Sequence, residues 1–156
     1  MTGRQFGLPP ATYFSSGETK AFMMMISFFQ SNLGRHERVQ QQVNINWLAP
    51  PSGWFALNTD GAAKISASRA GYGGVLRNET GIWIEGFTKA LGDTTAYMAE
   101  LWGIYEGLCL ARRREVTRLE MHTDSQIIAQ SLQDNKRGSN MGCTLMKKIR
   151  RLLEDS

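Results

Sequence analysis

Apolar and polar residues change their rhythm several times along the chain, and each change marks a predicted element. Phe55–Ala62 alternates and predicts a strand, with Asn58, Thr59 and Asp60 near its end. Arg69–Arg77 predicts a second strand, entered through a glycine-rich stretch; Asn78-Glu79-Thr80-Gly81 predicts a turn and Ile82–Thr88 a third strand. Three strands joined by short turns predict an antiparallel meander. The period then lengthens. Tyr97, Leu101, Ile104, Leu108 and Ala111 recur on one helix face, predicting a helix over Thr94–Arg113 that Thr94 or Thr95 can cap. Gly103 and Gly107 inside it each cost about 1 kcal/mol relative to Ala, which predicts close packing against a neighbouring element. Val116–His122 predicts a fourth strand. Asp124–Gln133 predicts a second helix with Ile127, Ile128, Ser131 and Leu132 on its apolar face, and Met141–Leu153 a third with Leu145, Ile149, Leu152 and Leu153 spaced to match. The order β-β-β-α-β-α-α permits the fourth strand to pair in parallel through a helical crossover.

Residues 1–46 show no comparable rhythm. They mix Gly, Pro, Ser and Gln with a small apolar patch at Phe22–Phe29, and a short helix around Thr19–Gln30 is the one element they suggest. They are expected to form a poorly ordered leader that adds no strand to the main sheet. Pro50, Pro51 and Gly53 punctuate the boundary, so one domain is expected over 47–156.

Composition narrows the class. With 42% apolar and 21% charged residues the chain is an ordinary globular sequence. No apolar run approaches the ~20 residues of a membrane span. Cys109 and Cys143 form no CxxC pair, which argues against a disulfide scaffold or a Cys/His zinc site and fits a reducing, intracellular setting, nuclear or cytoplasmic. No signal peptide is expected. The net charge of +4 is uneven: residues 1–53 carry +2, 54–108 carry −2, 109–151 carry +6 and 152–156 carry −2. An acidic middle beside a basic C-terminal third suits a protein that binds a polyanion and holds cations at one point on it; a solvated Lys/Arg-rich helix face would give the same charge run.

Three carboxylates stand where the fold alone has little use for them. Asp60 ends the first predicted strand, Glu100 borders the apolar stripe of the first helix, and Asp124 follows the fourth strand. Each also has a plain reading: Asp60 as a turn starter, Glu100 as a solvated helix residue, Asp124 as an N-cap. Together they are more specific, because a strand end, a crossover helix and the neighbouring parallel strand can converge on one point. Mg²⁺ prefers oxygen ligands and keeps several waters, which suits carboxylates clustered without His or Cys.

Asn58-Thr59-Asp60-Gly61-Ala62, the GYGGVLR run at 71–77, Ala99-Glu100-Leu101-Trp102 and the HTDSQ run at 122–126 resemble a type 1 ribonuclease H domain, in particular the plant retroelement reverse-transcriptase-like group. The W-x-x-P-P-x-G-W lead-in at 47–54 is similar to that group as well, and the resemblance spans about residues 47–153. It implies an α/β fold: a ribonuclease H-like mixed sheet with its first three strands antiparallel, a fourth parallel, and flanking helices. It implies a metal-dependent endonuclease, a hydrolase that cleaves the RNA strand of an RNA–DNA hybrid with two Mg²⁺ ions about 4 Å apart. By the same resemblance Asp60 would bridge the ions and Glu100 and Asp124 would hold the second. The Gly71–Gly74 backbone, Gly73 and Gly74 above all, could approach a sugar–phosphate chain, and Gln126 would contact bases through the minor groove, where the 2′-OH groups are exposed. The chain stops at Glu154-Asp155-Ser156, where the family continues through a fifth strand, a mobile His and a last helix bearing a fourth acidic residue. The expectation is therefore a domain lacking its last strand, its last helix and one metal ligand, with the water-activating ion most affected and cleavage very weak or absent, and with an exposed sheet edge. The alternative function is a non-catalytic nucleic-acid-binding fragment of the same fold.

Overall fold

The computed structural model describes strands Thr12–Phe14 (β1) and Met23–Phe28 (β2), residues 49–133 and residues 142–154. The remaining strands and α-helices are β3 (Phe55–Lys64), β4 (Arg69–Arg77), β5 (Trp83–Gly92), α1 (Ala96–Arg113), β6 (Arg118–Thr123), α2 (Gln126–Gln133) and α3 (Cys143–Glu154), with a 3-10 turn at Ile65–Ala67 between β3 and β4. Asp155, Gln40–Gln42, Trp47 and Met141 lie outside the described residues.

The meander forms as its turns dictate. Asn78 Oδ1 accepts from the backbone N–H groups of Thr80 and Ile82 and from the Thr80 hydroxyl, and Gly81 takes the left-handed conformation (φ 82°) that closes the turn. β3 pairs antiparallel with β4, and β4 with β5. The crossover through α1 brings β6 back parallel to β3, with Phe55 to Asn58 opposite Leu119 to His122. Those four strands are the mixed sheet that the sequence predicts. The Glu79 carboxylate accepts from Ser52 Oγ and from the Gly53 N–H, which ties the proline-rich lead-in to the β4–β5 turn.

The leader departs from expectation. The full sheet has six strands in the order β1-β2-β6-β3-β4-β5. Met23–Phe28 is a strand where the sequence suggests a helix over Thr19–Gln30, and it pairs in parallel with all of β6; Thr12–Phe14 pairs antiparallel with β2. The expectation that residues 1–46 add no strand is thus corrected, and the edge of β6 expected to be exposed is covered. A short continuous apolar run fits a buried strand and a buried helix equally, and here an available ladder decides between them.

The core lies between the sheet and its helices. Leu57, Leu76, Leu119 and Met121 meet Leu101, Ile104, Leu108 and Leu110 of α1, with Ile128 of α2 and Met146 and Ile149 of α3 closing the cluster. Gly107 answers the packing expected of it, since a Cβ there would lie 2.7 Å from a Leu57 methyl carbon. Gly103 is also buried against β3 and β4, but less tightly: a Cβ there would meet the Asp60 carbonyl oxygen, Thr59 and Tyr72 in ordinary contact at 3.6 Å. Ile127, expected on the apolar face of α2, is 68% exposed. Among the described residues, no helix is long and apolar enough to cross a membrane.

Candidate active site

Each of the three carboxylates has lost its plain reading. Asp60 starts no turn: it sits inside β3, which continues to Lys64, and faces Gly73 of β4. Asp124 is not a cap. Ser125 precedes α2 and its Oγ accepts from the Ile128 N–H at 3.4 Å. Glu100 is no solvated helix residue, being only 7% exposed.

What buries Glu100 is a close approach of α1 to β3. Thr95 caps α1 by accepting from the Met98 N–H, which places Glu100 in the second turn. There the helix backbone crosses Gly61 so tightly that a Cβ on Gly61 would lie 2.3 Å from the Glu100 nitrogen. Only glycine admits that approach, and its N–H donates to Glu100 Oε1 at 3.1 Å. The other carboxylate oxygen, Oε2, is buried without a hydrogen-bond partner.

One ligand atom from each of Asp60, Glu100 and Asp124 lies within 4.8 Å of the others. Asp60 and Asp124 are exposed at the surface, and Glu100 forms the floor. Three carboxylates this close repel one another. Burial, then the Asp124 carboxylate, push the Glu100 pKa up to about 8; the Gly61 N–H opposes the shift. An orphaned buried carboxylate oxygen beneath two exposed carboxylates fits a hard divalent cation, which supplies the missing charge and takes oxygen ligands.

The remaining candidates lie around this centre. Gly73 is the cross-strand neighbour of Asp60 and shares its face of the sheet. Gly74 pairs with Thr59 on the helix side, where a Cβ would lie 2.5 Å from the Phe87 ring, so the structure uses that glycine to seat Phe87. Gln126 is exposed at the start of α2, two residues after Asp124. Two residues escaped the sequence reading in these roles: Gly61, signalled by a glycine inside a strand, and Ser125, signalled by a serine directly before a helical pattern.

Comparison with known proteins agrees with this architecture. The family model described as "Reverse transcriptase-like" matches residues 58–156. An Arabidopsis thaliana protein named "Putative ribonuclease H protein" is 45% identical over 84 residues, covering 54% of this chain and 14% of that protein, so the match spans a small part of its length. Among solved structures, RNase H1 of Halobacterium salinarum superposes with a TM-score of 0.59 at 22% identity, over 64% of this chain and 76% of the other. LC11-RNase H1, solved in complex with an RNA/DNA hybrid, gives 0.57 at 21% identity, over 63% and 75%. With the family model matching well over half of its length, and the strand order and carboxylate cluster in agreement, this chain belongs to the reverse transcriptase-like family and carries a ribonuclease H-type domain.

Proposed function

We propose that this domain binds RNA–DNA hybrids and cleaves their RNA strand at a divalent-metal site made by Asp60, Glu100 and Asp124. The observation that carries the reading is the buried, orphaned Glu100 oxygen beneath two exposed carboxylates within 4.8 Å. Asp60 and Asp124, being exposed, would hold a cation where substrate can reach it. Glu100, fixed by the Gly61 N–H, would supply charge from below. Bound there, Mg²⁺ or a similar ion neutralises the charge that builds on a phosphodiester under attack. Gly73, beside Asp60 and free of a side chain, leaves room for a backbone phosphate, and Gln126 stands within one turn of Asp124. The relative solved with an RNA/DNA hybrid supports the choice of substrate. The exposed Lys147, Lys148 and Arg151 of α3 add positive charge suited to a polyanion. The plant retroelement assignment rests on the sequence resemblance and the Arabidopsis relative.

The test is cleavage of a labelled hybrid by purified protein with Mg²⁺ or Mn²⁺, alongside Asp60→Asn, Glu100→Gln and Asp124→Asn. Metal-dependent cutting of the RNA strand that all three substitutions abolish is the expected result. Hybrid binding without cleavage in either metal would leave the binding function and remove the enzyme.

A further inference from the structure

The ladder around β6 is uneven. β3 reaches it only from Leu119 to His122. β2 reaches the whole strand, from Met23 opposite Arg118 to Phe28 opposite Thr123. Thr123, the residue before Asp124, therefore has a cross-strand neighbour in β2 and none in β3. Its hydroxyl accepts from the Ser125 N–H at 3.2 Å, which begins the turn into α2. The backbone of β2 also lies beside α2. Asp124 stands at the junction of two elements, and one strand from the N-terminal part of the chain touches both.

We infer that β2 is a positioning element for the metal site, setting Asp124 through the Phe28–Thr123 pairing at the end of the β6 ladder. A strand paired on one side only frays at its end, and a carboxylate on a frayed end shares a cation poorly with two partners held rigidly on β3 and α1. Residues that orient a metal ligand without touching the metal typically change affinity by about 10- to 100-fold when removed. The inference rests on the proposed metal site, but its structural half is measured separately.

The experiment uses the full chain with Met25→Pro and Ile26→Pro combined. Consecutive strand residues direct their N–H groups to opposite neighbours, so one of the two prolines removes a donor from the β6 ladder. Met25→Val with Ile26→Val keeps both donors, and Tyr13→Pro disturbs the outer β1 strand only. Mn²⁺ affinity is read by titration calorimetry, and amide hydrogen exchange is read along β6 and β4–β5. The proline pair is expected to speed exchange at Thr123 and Ser125 and to weaken Mn²⁺ binding about 10- to 100-fold, with β4–β5 exchange unchanged. The valine pair is expected to restore both. Unchanged Thr123 exchange and Mn²⁺ affinity in the proline pair would overturn the inference. Faster exchange throughout β4–β5 would overturn it too, making β2 a general brace of the core. If the wild-type chain bound no Mn²⁺, the metal site would fail as a reading, while exchange at Thr123 and Ser125 would still decide whether β2 fixes the Asp124 segment.

Discussion

Glu100 sets the electrostatics of the carboxylate cluster because it is acidic, buried and crowded at once. Its folded-state pKa, about 8, lies above the ordinary carboxylate value of 4.5. The metal-free fold therefore binds a proton at Glu100 that the unfolded chain has released, and stability falls as pH rises from about 4.5 to about 8. Glu100→Gln should flatten that part of the stability–pH curve, which chemical denaturation at several pH values measures. A cation must displace the same proton, so Mn²⁺ affinity should rise between pH 6 and 8 in the wild type; titration calorimetry in that range checks it. Two glycines give a paired prediction. Gly61→Ala drives a Cβ into the α1 backbone and should cost about 1–3 kcal/mol or more together with metal binding. Gly103→Ala meets only ordinary contacts and should be neutral or stabilising by up to about 1 kcal/mol. Thermal melting of the two variants separates the cases.

At the scale of elements, α3 joins packing to charge. Its N-terminal end packs on α1, where a Cβ on Gly142 would touch Leu101 and Tyr97. Leu145, Met146, Ile149 and Leu153 enter the core, and Arg150 donates to the Ser131 carbonyl of α2 at 2.9 Å. Lys147, Lys148 and Arg151 remain outside. Lys148 lies 6.0 Å from the Tyr105 ring centre, in a row of aromatic contacts that continues through Trp102 to Tyr72 and Phe87. Replacing the three exposed cations with Gln should weaken hybrid binding and reduce the slope of log K against log salt by about 0.7–0.9 for each phosphate that is no longer neutralised. Binding titrations at several salt concentrations give the slope. An unchanged slope would place the phosphate-binding cations elsewhere on the surface.

For the whole molecule, the carboxylate cluster should couple cation binding to stability. Three carboxyl groups drawn from β3, α1 and the β6–α2 junction crowd one another, two of them exposed at the surface, and a bound cation would offset their repulsion. Mn²⁺ at about 100 times its dissociation constant should stabilise the protein by about 2.7 kcal/mol through mass action. Differential scanning calorimetry with and without the ion should show the gain, and it should vanish in Asp60→Asn with Glu100→Gln and Asp124→Asn. The six-strand sheet joins β1 and β2, from the N-terminal part of the chain, to β6, so β2 and the Asp124 end of β6 should lose structure together on heating.

The sequence by itself determined the local elements and the chemistry they carry. Alternation in Phe55–Ala62, the helical stripe from Leu101 to Ala111 and the Asn-Glu-Thr-Gly turn each encode a conformation within a few residues, and the structure keeps all of them with shifted ends. Asp60, Glu100 and Asp124 are legible only as a set: singly each has a plain reading, but a strand end, a crossover helix and the neighbouring parallel strand can converge on one point. Tertiary structure alone decided what lies against what. Met23–Phe28 could be helix or strand until β6 offered it a parallel ladder, and parallel partners share no tight turn that would announce their pairing. Gly74 seats Phe87, Gly61 admits α1 and Ile127 stays in solvent for the same reason: local period states which residues share a face, whereas the neighbour meeting that face comes from elsewhere in the chain. The raised pKa of Glu100 belongs to this second class, since it arises from burial and from carboxylates that only the folded chain brings together.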